Sequence, residues 1–325
     1  MSKGLLTAGL LALAATVVSA SFQTSSLERL LSDLRSTEPG VRAEAACRVG
    51  RMGSRGAAAI PALVELLSDG EAFDATGRSG CLGERGSRGN RERTPGEEAA
   101  GALAEIGRGS FEPLVGALES PRWVARKNAA FALGALEDER ALAPLLGLLA
   151  DDTAKVREQA AWALGSLGSP DAAGPLCSAL GDESAAVREQ AAWALGAIDS
   201  NASVDALAKA LSDSEPSVRE QVAWALGAIG SASAVDALAK VLVDTEAAVR
   251  EQAAWALGAI GEEGGVDPLV RSLRDESAAV REQAAWALGA IGDVRAMNAL
   301  SLALKDESAT VREQAAWALG VLGHR

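Results

Sequence analysis

Residues 249–258 read Val-Arg-Glu-Gln-Ala-Ala-Trp-Ala-Leu-Gly, and this stretch decides the fold. The same ten residues recur at multiples of 31, beginning at Val156, Val187, Val249, Val280 and Val311. A further copy begins at Val218, with Val222 in place of one alanine. A fixed period of about 20–50 residues indicates a repeat protein, because a unit of that size cannot bury its apolar face without neighbours.

Weaker copies of the string lie earlier in the chain, over residues 125–134, 41–50 and 97–104. With them the chain divides into nine units, which we call repeats 1 to 9: 27–53, 54–107, 108–137, 138–168, 169–199, 200–230, 231–261, 262–292 and 293–323. Repeat 2 is long because residues 71–93 are inserted between its two predicted helices.

Each repeat is predicted to contain two helices. In the first, Val204, Leu207 and Leu211 show the apolar spacing i, i+3 and i+7. The second is the repeated string, which ends at a glycine such as Gly261, a common C-terminal stop. Its helical wheel has a Val/Ala/Leu core face, a small Arg/Ala/Gly face and an outward Glu/Gln/Trp face. A glycine within a helix costs roughly 0.5–1 kcal/mol, so the small face indicates close approach of the neighbouring helix.

The pattern Asp-x-x-x-x-Val-Arg-x-x-Ala-Ala-x-Ala-Leu-Gly-x-Ile-Gly, read over residues 244–261, resembles the short HEAT-like repeat named after phycobilisome lyases. The resemblance covers residues 27–323 and implies an all-α, right-handed solenoid of about nine two-helix repeats of period 31. It also implies that the second helices line an inner, concave wall. The same solenoid serves enzymes, lyase subunits and scaffolds, so the resemblance alone does not define a function.

The outward face of repeats 4–9 is the candidate binding site, and we call it the Glu/Gln/Trp face. It consists of Trp162, Trp193, Trp224, Trp255, Trp286 and Trp317; Glu158, Glu189, Glu220, Glu251, Glu282 and Glu313; and Gln159, Gln190, Gln221, Gln252, Gln283 and Gln314. Six bare indoles would exceed the apolar patch that a monomer normally exposes. Either each indole lies across small residues of the next repeat, or the indoles are hot spots of a groove. The glutamates either steer a basic partner or only keep the protein soluble.

Arginine and aspartate form two further columns, in which each arginine follows an aspartate by six residues. They are Arg157, Arg188, Arg219, Arg250, Arg281 and Arg312, and Asp151, Asp182, Asp213, Asp244, Asp275 and Asp306. We interpret the columns as a structural ladder, in which aspartate caps helix starts and arginine bonds carboxylates or carbonyls along the stack. Ligand binding by these columns is the alternative.

The N-terminus has the features of a secretory signal peptide over residues 1–20. Lys3 precedes the apolar run 4–18, and small residues up to Ala20 form a cleavage site. The run is shorter than the roughly 20 apolar residues that span a membrane, which disfavours an uncleaved anchor. We therefore expect an exported protein, periplasmic or extracellular, with no stable membrane span after cleavage. The predicted solenoid covers residues 21–323, and 324–325 form a C-terminal tail.

The insertion and the cysteines depart from the repeat. Residues 71–93 are rich in glycine and arginine, and we expect a mobile, locally basic loop that is either a contact site or a tolerated insertion. A helix should restart at 94–97, which read Thr-Pro-Gly-Glu. Cys47 takes the tryptophan place of repeat 1 and Cys81 lies in the insertion, so our hypothesis is a Cys47–Cys81 disulfide with Cys177 as a buried free thiol.

Composition excludes several functions. The formal net charge of −13 argues against nucleic-acid binding, which needs a basic face. The single histidine is His324, so a catalytic triad or a multi-histidine zinc or iron site cannot be assembled. Deoxyhypusine hydroxylases have similar repeats but hold iron with His-Glu pairs, which excludes that activity here. We predict no catalytic residue, no metal site and no cofactor.

These observations favour an exported, non-catalytic scaffold that binds a protein or peptide, with a basic partner favoured by the acidic face. A glycan-binding solenoid is one alternative, because aromatic rings beside Glu and Gln also suit sugars. A bilin-lyase-like enzyme subunit is another, although such subunits act on cytoplasmic antenna proteins. A structural module is the third. Repeat 9 carries the same tryptophan helix as interior repeats and no polar cap follows, so end-to-end self-association is also predicted.

Overall fold

The computed structural model describes residues 26–74, 80–82 and 92–323. The predicted signal peptide and the C-terminal tail lie outside the described residues. The same holds for most of the predicted mobile loop, residues 75–79 and 83–91. Among the residues that are described, no helix is both long enough and apolar enough to cross a membrane.

Each repeat contains a short first helix and a longer second helix. The first helices cover 26–33, Ile60–Leu66, Phe111–Ala117, Leu142–Gly147, Ala173–Ala179, Val204–Ala210, Val235–Val241, Val266–Ser272 and Met297–Ala303. The second helices cover Pro39–Gly50, Pro95–Ile106, Trp123–Leu136, Ala154–Leu167, Ala185–Ile198, Pro216–Ile229, Ala247–Ile260, Ala278–Ile291 and Ala309–Gly323. Short 3-10 turns precede the first helices of repeats 2–9. The predicted all-α solenoid is confirmed.

Two short β-strands pair at the ends of the insertion. The sequence pattern did not predict these strands. Strands Phe73–Asp74 and Glu92–Arg93 pair in antiparallel fashion, with Phe73 opposite Arg93. The second helix of repeat 2 then starts as expected, because Thr94 and Glu97 form a capping box with Pro95 at the first helical turn.

The chain divides into two compact units, Met1–Pro144 and Leu145–Arg325. Within each unit, consecutive second helices pack directly against one another, and the first helices of repeats 2, 3 and 5–9 pack on the second helix of their own repeat. The core face of the string is buried throughout: Val249, Ala256 and Leu257 are inaccessible to solvent. Burial of one such leucine stabilises the fold by about 1.5–3 kcal/mol. The stability of the core therefore comes from many similar contributions, one set from each repeat.

The small face of the second helices brings neighbouring backbones together. A Cβ atom placed on Gly258 would lie 2.7 Å from Cα of Ala287 in the next repeat, and Gly165, Gly196, Gly227 and Gly289 have equivalent close neighbours. Any larger residue would push the helices apart, which confirms the packing role predicted for these glycines. Gly320 of repeat 9 meets no atom within 4 Å among the described residues.

Candidate binding face

The indoles of repeats 5–9 are partly covered by the preceding repeat. Cζ3 of Trp286 lies 2.7 Å from the position that a Cβ of Gly258 would take, and the same pairing joins Trp193 to Gly165, Trp224 to Gly196, Trp255 to Gly227 and Trp317 to Gly289. The expected cover by the next repeat is therefore wrong in direction. The reason is that the small face of each helix is turned towards the following repeat, whose indole fills the space above the glycine.

The covered indoles still reach solvent. Trp162, Trp193, Trp224, Trp255 and Trp286 are half-buried. Trp317 of repeat 9 is 45% exposed. Mutual cover and a solvent-accessible aromatic column are thus compatible, because each ring of repeats 5–9 has one part against glycine and another part at the surface.

The glutamate column is a row of like charges with few internal partners. Nζ of Lys155 lies 2.9 Å from Oε2 of Glu158. Within the described residues, the other members, Glu189, Glu220, Glu251, Glu282 and Glu313, form no ion pair. Burial, together with the charges of Glu220 and Glu282, raises the pKa of Glu251 above its ordinary value. The carboxylates of Glu220 and Glu282 therefore repel that of Glu251.

The glutamine column lies beside the glutamates and is equally unengaged. Gln159, Gln190, Gln221, Gln252, Gln283 and Gln314 are half-buried, and their amides form no hydrogen bond with any described residue. A side-chain amide offers two N–H donors and one carbonyl acceptor, so the column presents a regular series of free hydrogen-bonding groups.

The arginine and aspartate columns meet in a ladder that joins consecutive repeats. Nε and Nη2 of Arg250 donate to the two carboxylate oxygens of Asp275 at 2.7 and 2.8 Å, and Nη1 donates to the main-chain oxygen of Asp244 at 2.8 Å. Equivalent pairs are Arg157–Asp182, Arg188–Asp213, Arg219–Asp244 and Arg281–Asp306. The ladder leaves these groups little freedom for a ligand, since both carboxylate oxygens and all three guanidinium nitrogens have partners.

The aspartates of the ladder do not cap helices, contrary to expectation. Ser277 holds the N-cap position of its helix, and Asp275 lies two residues earlier, where it accepts the Ser277 main-chain N–H at 2.8 Å. Both carboxylate oxygens of Asp275 also accept hydrogen bonds from Arg250 of the preceding repeat. The aspartate therefore lies outside the helix, where it can reach that guanidinium. A further rung joins Nε of Arg42 to Asp69 at 2.6 Å in the N-terminal unit. Its sequence signal was the weak Val41–Gly50 copy of the string.

In repeat 1, part of the insertion lies on the surface that corresponds to the Glu/Gln/Trp face. Alignment of the strings puts Cys47 in the tryptophan place and Glu44 in the glutamine place. The structure joins Cys47 to Cys81 of the insertion in a disulfide. The main-chain N–H groups of Cys81 and Leu82 donate to the two carboxylate oxygens of Glu44 at 3.1 and 3.2 Å. The segment 80–82 is therefore held by covalent and backbone contacts.

Apolar side chains seal this contact. Cys47 and Leu82 are inaccessible to solvent, and with Ala43, Phe73 and Cys81 they form one buried cluster. Gly80 has a φ of +104°, and a Cβ placed there would lie 2.7 Å from Oε1 of Glu44, so only glycine permits the approach. Burial opposes ionisation of Glu44, but the N–H of Cys81 and the Arg48 side chain outweigh it and lower its pKa.

The insertion and the next repeat also neutralise the acidic groups of repeat 2. A Cβ on Gly50 would lie 2.8 Å from Cα of Ala102, the contact that Gly258 makes with Ala287, and this match puts Glu97 in the glutamate place and Glu98 in the glutamine place. Nη1 of Arg93, from the insertion, donates to Glu98 at 2.7 Å. Lys127 stands in the glutamate place of repeat 3, and its Nζ donates to Glu97 at 3.1 Å.

Cys177 is half-buried and free, whereas the sequence predicted a buried thiol. Its side chain borders an open groove between two first helices, beside Gly174 and Ala206. Burial nevertheless raises the pKa of the thiol. Elsewhere in the described residues, no group of three or more His, Cys, Asp and Glu side chains is arranged to hold a metal ion.

Comparison with protein families identifies the repeat. The model of HEAT repeats matches residues 96–164, 147–215, 174–257, 204–279 and 240–320, which together span more than half of the chain. The chain is a HEAT-repeat protein. The model of the PBS lyase HEAT-like repeat matches residues 41–69 of this HEAT-repeat protein, so this segment matches the short repeat type that the sequence resembles. None of the curated proteins compared matches it.

Several solved structures have a fold similar to that of this HEAT-repeat protein. A structure of Kap95p with RanGDP matches with a TM-score of 0.67 at 13% identity, covering 96% of this chain and 49% of that chain. The E. coli protein YibA matches with a TM-score of 0.58 at 20% identity, covering 81% and 92%. The complex of CpcE and CpcF of phycocyanin lyase from Nostoc sp. PCC7120 matches with a TM-score of 0.44 at 26% identity, covering 66% and 93%. The likeness to Kap95p and YibA concerns the fold and assigns no ligand.

Proposed function

We propose that this HEAT-repeat protein is an exported, non-catalytic scaffold that binds a protein or peptide segment on the Glu/Gln/Trp face of repeats 4–9. One observation carries the proposal: the chain's own segment 80–82 lies on the corresponding surface of repeat 1. There a side chain in the glutamine place accepts two main-chain N–H groups, and apolar side chains cover the tryptophan place. The surface of repeat 1 that corresponds to the Glu/Gln/Trp face therefore binds a polypeptide segment, and we propose that the face itself does the same.

Repeats 4–9 have a glutamine amide and an indole at the corresponding places, and no described segment of the chain occupies them. The glutamine amides have no hydrogen-bond partner in the described chain, and the indoles are half-buried. A bound segment would supply main-chain N–H and C=O groups to the amides and apolar groups to the ring edges. Partly buried aromatic residues surrounded by polar groups are the usual anchors of protein interfaces.

A selection from random displayed peptides tests the proposal on the purified protein. Peptides chosen on the unmodified chain should lose binding to the triple variant Gln221→Ala/Gln252→Ala/Gln283→Ala, because each lost hydrogen bond weakens binding several-fold and three together by roughly 10-fold or more. The control Asp205→Ala/Asp236→Ala/Asp267→Ala changes exposed positions of the first helices and should retain binding. Peptides that ignore the glutamine variant would contradict the proposal.

The half-exposed indole column also favours a glycan ligand, which is the second candidate. An array of glycans probed with the same variants separates the two candidates. Glycan binding that disappears in the glutamine variant, with no peptide selected, would replace the peptide proposal by the glycan one. A bilin-lyase-like role has no support from the contacts described.

Export is part of the proposal and has its own test. In a bacterial host with a secretion pathway, the protein recovered outside the cytoplasm should begin at Ser21, because small residues precede it at the expected cleavage site. Intact mass would show this directly. A cytoplasmic protein of full length would contradict it.

A further inference from the structure

We infer that the segment bound by the Glu/Gln/Trp face is an extended, basic polypeptide with a lysine or arginine at every third residue. This inference rests on the proposed function and specifies its ligand. It is carried by the unpaired charges of the face and by the spacing of the repeats.

The charges of the two compact units differ in one respect. In Met1–Pro144, the chain itself provides the partners of the acidic groups on this surface: Lys127 for Glu97, Arg93 for Glu98, and main-chain N–H groups with Arg48 for Glu44. In Leu145–Arg325, five of the six glutamates have no cation among the described residues. A row of carboxylates that repel one another is stabilised by cations arranged in the same row.

The spacing of the row selects the conformation of the partner. Packed helices lie about 8–10 Å apart, and consecutive second helices of repeats 4–9 are in direct contact. A polyproline II segment rises about 3.1 Å per residue with three residues per turn, so its side chains return to the same side every 9 Å or so. A β-strand returns after about 6.6 Å and does not keep step with the row.

The other two columns suit the same conformation. A polyproline II segment has no internal hydrogen bonds, so its main-chain groups are free to pair with the unengaged glutamine amides. Arginine or lysine side chains that reach the glutamates pass the half-exposed indoles, whose faces attract cations. One residue of each three would thus contact Glu and Trp of one repeat, while its backbone contacts Gln.

Two synthetic peptides of equal composition test the inference by calorimetry on the whole protein. The first repeats Arg-Ala-Pro, which spaces the cations by three residues, and the second groups all the arginines at its centre. The spaced peptide should bind on the order of 10-fold more tightly, because only its cations meet successive glutamates without bending the backbone. Equal affinity of the two peptides would overturn the inference.

A matched pair of variants separates specific from diffuse attraction. Glu220→Gln/Glu251→Gln/Glu282→Gln should weaken the spaced peptide on the order of 10-fold, since each exposed ion pair is worth a factor of about 1.5–5. Asp205→Asn/Asp236→Asn/Asp267→Asn makes the same change in net charge on the first helices and should alter binding by less than about 2-fold. Equal losses in both variants would mean diffuse attraction and would overturn the inference.

The outcome for the proposed function is read separately. If displayed peptides bind and depend on the glutamines but carry no spaced cations, and the spaced peptide does not bind, the inference fails while the proposed function stands. If neither displayed nor spaced peptides bind, both fail. Circular dichroism of each variant confirms that the helices are retained.

Discussion

At the scale of single residues, the smallest side chain of the string has the most restrictive role. The helix glycines lie where the next repeat brings both an alanine backbone and an indole against them. The position is therefore chosen by close packing, although glycine is a poor helix former. Gly258 and Gly320 hold the same place in their repeats, but among the described residues only Gly258 has such close neighbours. The two glycines therefore provide an internal comparison.

Gly258→Ala should lower the free energy of unfolding by about 1–3 kcal/mol, because the new Cβ would lie 2.7 Å from atoms of Ala287 and Trp286. Gly320→Ala adds the same methyl group where no atom lies within 4 Å in the described structure, and should raise it by about 0.5–1 kcal/mol. Urea denaturation followed by circular dichroism measures both. Equal effects would contradict the packing role.

The ladder aspartates make a second prediction at this scale. Asp275→Asn keeps an acceptor for the Ser277 N–H but removes the charge that faces Arg250, and Asp275 is only 10% exposed. The free energy of unfolding at neutral pH should fall by about 1–3 kcal/mol. Asp236→Asn, on an exposed site of a first helix, should stay within about 0.5 kcal/mol of the unmodified chain. A loss of the same size in both variants would exclude a specific role for the ladder.

At the scale of elements, the insertion shows how a repeat surface accepts a foreign segment. In repeat 1, the Cys47–Cys81 disulfide and Leu82 lie where repeats 4–9 have an indole. In repeat 2, the short β-ladder places Arg93 beside Glu98. The helix itself keeps the same packing as in other repeats, since Gly50 contacts Ala102 as Gly258 contacts Ala287. The surface residues of a repeat therefore change without disturbing the stack.

Loss of the disulfide should destabilise the N-terminal unit. The bridge spans 34 residues, and a loop of that length contributes about 3–4 kcal/mol in the chain-entropy model. In a Cys177→Ala background, which prevents disulfide exchange, Cys81→Ala should lower the urea midpoint and remove the effect of added reductant. The Cys177→Ala parent should show the full response to reductant. A parent that is insensitive to reductant would disprove the bridge.

At the scale of the whole molecule, the ladder sets the dependence of stability on pH. The guanidinium bonds from the preceding repeats outweigh burial and hold the pKa values of Asp213, Asp244 and Asp306 below their ordinary value. Below about pH 4 the unfolded chain then binds more protons than the folded one, so stability falls as the pH falls. Glu251, whose pKa is raised, acts in the opposite sense. Because the lowered aspartates outnumber it, the net effect is loss of stability in acid.

Thermal unfolding should therefore shift to lower temperature as the pH is reduced from about 4 to 2, with little change between pH 5 and 7. The variant Asp213→Asn/Asp244→Asn/Asp306→Asn should be less stable at neutral pH and should show a flatter dependence in acid. An unchanged slope in this variant would mean that other carboxylates cause the acid unfolding.

End-to-end self-association stays a prediction at this scale. In repeat 9, Arg312 donates to the main-chain oxygens of Asp306 and Glu307, and Trp317 is 45% exposed. In repeat 1, however, Ser36 stands where repeats 2 and 4–9 have the ladder aspartate. A second copy would thus offer Arg312 no equivalent carboxylate. Light scattering over a range of concentrations measures the association, and a constant monomer mass would refute it.

The sequence by itself determined the repeat, its two helices and the three faces of the string. These features follow from local spacing, because a helix of 3.6 residues per turn converts the order of Val, Ala, Gly and Trp directly into faces. The glycine that ends a helix, as at Gly261, and the capping box at Thr94 are equally local and were predictable.

Only the tertiary structure decided which neighbour each side chain meets. Three contacts show this: Trp286 covers Gly258, Asp275 binds Arg250, and Cys81 donates to Glu44. In each of them the two residues are about 25 or more positions apart in the sequence. Periodicity shows that such columns exist, but a column has the same sequence whether it contacts the repeat before it or after it. Close packing of the helices removes that ambiguity. The space between two repeats is filled when the indole and the alanine of one repeat lie against the glycine of the preceding repeat.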